Sequence, residues 1–180
     1  MTIDNGTISL IKKWEKLSLE PYADHKQWSI GYGTYAGPYP GPKPNTRLSN
    51  EAEAHQLLLN DVSKRVGSIK NRLTRAINQN QFSALVSFAF NTGLAPAYLV
   101  IDDINKGYMN AAAERMLKYV YASGQKLNGL VSRRNDEVRL FNTPVQSKAG
   151  GTPVISQDKR ALLSVTMIVV ATVIIFKLFL

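Results

Sequence analysis

Residues 161–180, ALLSVTMIVVATVIIFKLFL, carry one charge, Lys177, and 13 residues that are Leu, Ile, Val or Phe. Apolar residues occupy every face that a helix over this stretch would present, so it is not an amphipathic surface helix. A buried helix of a soluble domain would show a polar side, and this one shows none. At about 1.5 Å per residue, about 20 residues cover about 30 Å, the thickness of a bilayer core. Each Leu, Ile, Val or Phe gains roughly 0.3–0.6 kcal/mol on insertion, several kcal/mol in sum. Lys177, with three residues after it, reaches the interface. One C-terminal transmembrane helix is therefore expected.

That expectation divides the chain. Residues 142–160, NTPVQSKAGGTPVISQDKR, contain Pro144, Gly150, Gly151 and Pro153 and read as a flexible linker. Residues 1–141 are left to form one domain of ordinary size. The opening stretch, MTIDNGTISLIKKWEK, lacks the apolar run of a signal peptide.

The net charge is +9, and residues 1–141 hold 18 Lys and Arg against 12 Asp and Glu. A cationic domain is drawn to an anionic partner: nucleic acid, an acidic membrane or an acidic polymer such as a bacterial wall. No recognition-helix motif or aromatic RNA-binding signature accompanies the charge, so no nucleic-acid partner is expected. The chain has no cysteine. That excludes disulfides, thiolate catalysis and Cys-based zinc sites. His25 and His55 are too few for a zinc finger or a three-histidine site, so neither metal nor cofactor is expected.

The periodicity of the domain is mostly helical. Ile8, Leu10, Ile11 and Trp14 fall at helical spacing. WSIGYGTY, Trp28 to Tyr35, reads as short strand and turn. Four prolines between Pro38 and Pro44 make Gly37 to Asn45 an extended loop, either a connector or the lip of a cleft. Ser49 or Asn50 caps a helix through AEAHQLLLNDVSKRV, with Glu53 as box partner. Further helices are expected in QFSALVSFAFNTG, stopped by Gly93, in NAAAERMLKYVYA, and in RRNDEVRLF. The fold class is α+β: a helical bundle beside a small β-hairpin region.

Glu15 ends the first apolar helix beside Trp14, and Asp24 follows nine residues later, past Pro21 and Tyr22. A chain that leaves a helix, turns at a proline and returns as a hairpin can set two carboxyls across a groove. Glycoside hydrolysis needs such a pair, one protonated to donate to the leaving oxygen and one ionised. Apolar surroundings such as Trp14 suit Glu15 to the first role, and an exposed turn suits Asp24 to the second.

The surroundings of this pair, WEKLSLEPYADHKQWSIGYGTYAG, resemble the catalytic motif of the phage-type lysozymes, glycoside hydrolase family 24: a Glu, then Tyr-x-Asp, then Thr-x-Gly-x-Gly. LSNEAEAHQLLLNDV, QFSALVSFAFNTG and ASGQKLNGLVSRRNDEVRLF agree in order, and the resemblance covers residues 8 to 141. It implies a lysozyme-like fold. It also implies a muramidase or endolysin that cuts the β-1,4 bond between N-acetylmuramic acid and N-acetylglucosamine in peptidoglycan. By the same resemblance Glu15 matches the general acid and Asp24 the second carboxylate. Ser29 stands where the family has Thr, whose hydroxyl helps to hold the attacking water. Tyr35, Phe90 and Asn91 match positions lining the sugar cleft, with Phe90 equally suited to the core. Arg133 or Arg134 approaches Glu15 or closes the cleft. Three departures stand out: Lys16 replaces a glycine, Thr34 replaces a common histidine, and the turn between Asp24 and Ser29 is one residue short.

The resemblance leaves a hydrolase and a lytic transglycosylase both open. A non-catalytic wall-binding membrane protein is the rival from another class. The expected partners are peptidoglycan, a lipid membrane through residues 161–180, and other virion proteins. Lys159 and Arg160 favour a domain on the cytoplasmic side. The anchor would then sit in a virion membrane, for wall penetration at infection, or in the host inner membrane, for lysis.

Overall fold

The computed structural model describes residues 1–24 and 27–145. The expected span, 161–180, and the linker from residue 146 onward lie outside the described residues. Among the described residues no helix is long and apolar enough to cross a membrane.

Helix α1 is Asn5–Trp14. Asp4 caps it, its Oδ1 accepting from the backbone N–H of Thr7 at 2.7 Å. This satisfies one of the donors that a helix start leaves free. Ile8 and Ile11 turn inward. Three antiparallel strands follow: β1 Ser18–Asp24, β2 Gln27–Gly31 and β3 Thr34–Pro38, in the order β1-β2-β3. The strand-and-turn reading of Trp28 to Tyr35 therefore holds, but the region is a three-stranded sheet rather than a hairpin. The added strand is the chain leaving Glu15. Gly31 and Gly33 have φ of +66° and +90° at the β2–β3 turn, a conformation that costs an L side chain dearly.

The proline-rich segment is a loop, as expected. It is tied to the sheet by Trp28 Nε1, which donates to the carbonyl of Gly41 at 3.2 Å. Trp28 also meets Tyr39 edge-on, with 5.5 Å between ring centroids.

Helix α2, Glu51–Arg72, starts at Asn50, whose Oδ1 accepts from Glu53 N–H at 3.1 Å. The Glu53 carboxylate reaches one residue further back than a standard box and accepts from Ser49 N–H at 2.8 Å. Ala54, Leu58, Val62, Val66 and Ile69 form its buried stripe. Helix α3, Gln79–Thr92, runs through the centre, and every residue from Phe82 to Ala89 is buried. A helix buried on all sides must be apolar or small all round, and FSALVSFA is. Asn78 and Gln81 form its capping box.

Gly93, at φ +87°, ends α3 and starts α4, Leu94–Asn105. This helix is not among those expected from the sequence. Its signal is Ala97, Val100, Ile101 and Ile104, all buried, with Pro96 tolerated in the first turn. Helix α5, Met109–Leu117, is shorter than expected. The predicted continuation through Ala122 is wrong. Tyr121–Ala122 is strand β4, which pairs with β5, Gln125–Lys126. Ser123 and Gly124, at φ 49° and 78°, make the two-residue turn that such a hairpin favours. Helix α6, Asn128–Asn142, closes the fold and starts five residues before the expected RRNDEVRLF run. It packs on α3 and α5, with Phe141 buried in the core, and a buried ionic cluster links it to Glu15 at the end of α1.

Candidate active site

Glu15 is the residue on which α1 ends. Its φ and ψ, −103° and 130°, are extended, and its N–H still closes the helix on Ile11 O. The chain thus leaves the helix at the carboxyl itself. Oε1 accepts from Arg133 Nη1 of α6 at 2.6 Å. Oε2 faces Gly33, where an added Cβ would come within 3.8 Å. The apolar setting expected from Trp14 is not its main environment: the partner that touches the carboxyl is a guanidinium. Of the two arginines left open by the sequence, Arg133 makes this contact. The side chain of Glu15 keeps 20% exposure, while that of Arg133 keeps 4%.

Behind Arg133 the cluster deepens. Glu137, one helical turn on, accepts at Oε1 from Arg133 Nε at 3.2 Å, Arg134 Nη2 at 3.0 Å and the Ser87 hydroxyl of α3 at 2.7 Å. Arg134 and Glu137 are fully buried. Burial pushes the Glu137 carboxyl up, against the pull of both guanidiniums and Ser87. Burial pushes Arg134 down to about 10, opposed by Glu137, which leaves it charged at neutral pH. Its guanidinium lies 5.0 Å from the Phe88 ring centroid. Two acids and two bases therefore balance across α1 and α6.

The sheet supplies the other half. Tyr22 pairs with Ser29, and Ser29 with Tyr35, so these three residues form a row across β1, β2 and β3 on one face. Asp24 pairs with Gln27 on that same face. The Ser29 hydroxyl, fully buried, donates to Asp24 Oδ2 at 3.2 Å, and Gln27 Nε2 donates to Ser29 Oγ at 2.8 Å. Asp24 is therefore tied into the sheet and does not point idly into solvent, despite the short turn. The Tyr22 phenol is pushed up by burial, then by the nearby carboxylates of Asp24 and Glu15, while a hydrogen bond from Ser29 opposes. Both carboxylates thus disfavour the Tyr22 phenolate. A cavity of about 230 Å³, lined by Lys16, Leu17, Ser18 and Tyr22, opens beside it.

Tyr35 is 61% exposed beside this row. Phe90 and Asn91 lie apart from it, at the end of α3. Phe90 packs against the core and under the Arg65 guanidinium, 4.9 Å from its ring centroid, while Asn91 is exposed. Neither makes a hydrogen bond or ion pair with Glu15, Asp24 or Ser29 among the described residues. The structure thus brings together Glu15 and Arg133, and Asp24 and Ser29, with Tyr35 in the same row. Sequence reasoning missed Gln27, Glu137 and Ser87. The signal for Glu137 is Arg-Arg-x-x-Glu on a helix, which puts the acid at i+4 and i+3 from the two arginines. Among the described residues no group of His, Asp and Glu is disposed to hold a metal ion.

The phage lysozyme family profile matches residues 12–137. The endolysin of Bacillus phage B103 is 36% identical over 149 residues, 79% of this chain and 55% of its own length. The chain spans about half the length of the Bacillus phage endolysins it matches. Among solved structures, the muramidase domain of SpmX from Asticaccaulis excentricus superposes with a TM-score of 0.70 at 31% identity, covering 79% of this chain and 99% of that one. The endolysin from Escherichia coli O157:H7 phage FAHEc1 gives 0.68 at 31% identity, covering 82% and 98%. The matched segment begins within α1 and ends at the Glu137 that braces Arg133, so it takes in both carboxyls and the cluster behind them: this chain belongs to the phage lysozyme family.

Proposed function

We propose that this chain is a muramidase: it cleaves the β-1,4 bond between N-acetylmuramic acid and N-acetylglucosamine of peptidoglycan and lyses the bacterial host. The observation that carries this reading is the pair of carboxyls around Tyr22, Glu15 on Arg133 and Asp24 on Ser29. Glu15 is the general acid. Arg133 occupies its Oε1, so the proton travels from Oε2 to the glycosidic oxygen as the C1–O bond breaks. Water held by Asp24, whose carboxylate Ser29 steadies, adds to C1 from the other face, and its proton passes to Asp24. Tyr35, Phe90 and Asn91 contact the glycan along the cleft, and the exposed Tyr35 ring stacks on a sugar face. The cationic domain is drawn to the anionic wall, an attraction that added salt weakens. Residues 161–180 tether the enzyme to a membrane.

Clearing of bacterial walls by the wild type and by Glu15→Gln tests the assignment. Loss of at least about 100-fold in rate is expected. Equal clearing by the two proteins would defeat it, and no clearing by either leaves a wall-binding protein. Released reducing ends support hydrolysis, whereas 1,6-anhydro ends identify a lytic transglycosylase. For the tether, the full chain is expected in the alkaline-washed membrane fraction and a chain ending at residue 160 in the supernatant. Identical partition rejects it.

A further inference from the structure

We infer that Gln27 is a positioning residue of this site, one that fixes the direction of the Ser29 hydroxyl; the inference rests on the hydrolytic reading proposed above. Ser29 has one hydroxyl proton and two lone pairs. Two groups compete for the proton: the Asp24 carboxylate at 3.2 Å and the Gln27 amide at 2.8 Å. A carboxylate is the stronger acceptor, so the proton goes to Asp24. The amide must then present its N–H₂ to the serine oxygen, which is the orientation found.

The consequence reaches the water. The Ser29 proton goes to Asp24 Oδ2, so the buried hydroxyl steadies that carboxylate while the Gln27 amide holds the serine oxygen from the other side. The free oxygen of Asp24 then accepts a hydrogen from the attacking water, so a water lone pair is left for C1. Without Gln27 the hydroxyl is held by one long bond to Asp24. It is then free to rotate away, and Asp24 loses the donor that fixes its carboxylate. Gln27 is in place because it opens β2 directly across from Asp24, the last residue of β1. When water attacks, its oxygen bonds to C1, its proton goes to Asp24, and the Glu15 proton leaves with the departing sugar oxygen.

The test measures kcat and KM on soluble glycan strands with the full-length wild type, Gln27→Leu and Gln27→Glu. Leucine keeps the size and removes the donor. We expect kcat to fall about 10-fold or more with KM within about twofold, because binding is untouched and only the geometry of attack is lost. The introduced glutamate, when ionised, accepts where glutamine donates. Its carboxyl faces Asp24 and Tyr22 on β1, with Glu15 beyond Tyr22. The two carboxylates hold its proton to a pH above the usual value of about 4.3. Once protonated it can donate again. The ratio of Gln27→Glu to wild-type kcat should therefore rise as pH falls from 7 towards 5. A purely structural role would give a constant ratio and a lower melting temperature. The pH trend of this ratio needs only the wild type and Gln27→Glu, so it decides the question even if the leucine variant does not fold. An active wild type with Gln27→Leu unchanged, or with a flat ratio, overturns the inference alone. A wild type that releases no sugar ends overturns the hydrolytic reading and this inference with it.

Discussion

The buried cluster of α6 predicts strong non-additivity. Glu15 and Glu137 balance Arg133 and Arg134, and Glu137 and Arg134 have no solvent exposure at all. Glu137→Gln removes one negative charge and leaves two buried guanidiniums against Glu15. Arg134→Met removes one positive charge and leaves two carboxylates against Arg133. Breaking one side of a buried pair costs about 3–5 kcal/mol, since the remaining charge is desolvated without compensation. The double variant restores the balance. Its amide oxygen at position 137 still accepts from Ser87 and from Arg133 Nε, and methionine fills much of the arginine volume over Phe88. It should cost about 1–2 kcal/mol, the range of a weakened hydrogen-bond set. The coupling between the two sites is then about 4 kcal/mol or more. In a folded unit of this size 1 kcal/mol moves the melting temperature by about 2–4 °C. Each single variant should melt at least about 6 °C low and the double variant within a few degrees of wild type. Thermal unfolding followed by circular dichroism reads this directly. If the double variant falls by the sum of the singles, or either single costs under about 1 kcal/mol, the cluster is not a balanced ionic unit.

Gly33→Ala should lose about 1–2 kcal/mol, because φ is +90° there, while the added Cβ meets Glu15 Oε2 at an ordinary contact of 3.8 Å; denaturant titration checks this, and an unchanged midpoint refutes it. Tyr22 holds its proton beyond pH 10, because burial and two carboxylates disfavour phenolate. The unfolded chain ionises first, so stability is full below pH 10 and falls as pH rises towards the folded value. Ultraviolet titration of the wild type against Tyr22→Phe should lose a late-ionising tyrosine, and loss of an ordinary one counts against the site.

The helices that could be read in sequence were those with one buried stripe or a clear cap, such as α2 behind Asn50 and α3 ahead of Gly93. The end of α5 was misread because apolar periodicity runs on through Tyr119 and Val120, while the Ser123–Gly124 turn that breaks it acts through backbone sign alone. The resemblance to the lysozyme motif singles out Glu15, Asp24 and Ser29 as candidates. What surrounds them was not legible. Arg133 and Arg134 look alike in sequence, and only the rotation of α6 decides which reaches α1. Gln27 looks like any polar residue at the start of a strand. Its place depends on cross-strand register, which no local pattern displays.

The bond between Glu15 and Arg133 joins residues 118 positions apart. A ribosome adding 5–20 residues per second needs about 6–24 s to make the second partner after the first. Through that interval the nascent chain holds its acid without the cation that fixes it. A prematurely terminated copy would carry α1 and the sheet but not α6. In such a copy the Glu15 carboxyl has no Arg133 to hold it, so the ion pair tying the end of the first helix to the last is complete only once α6 is made.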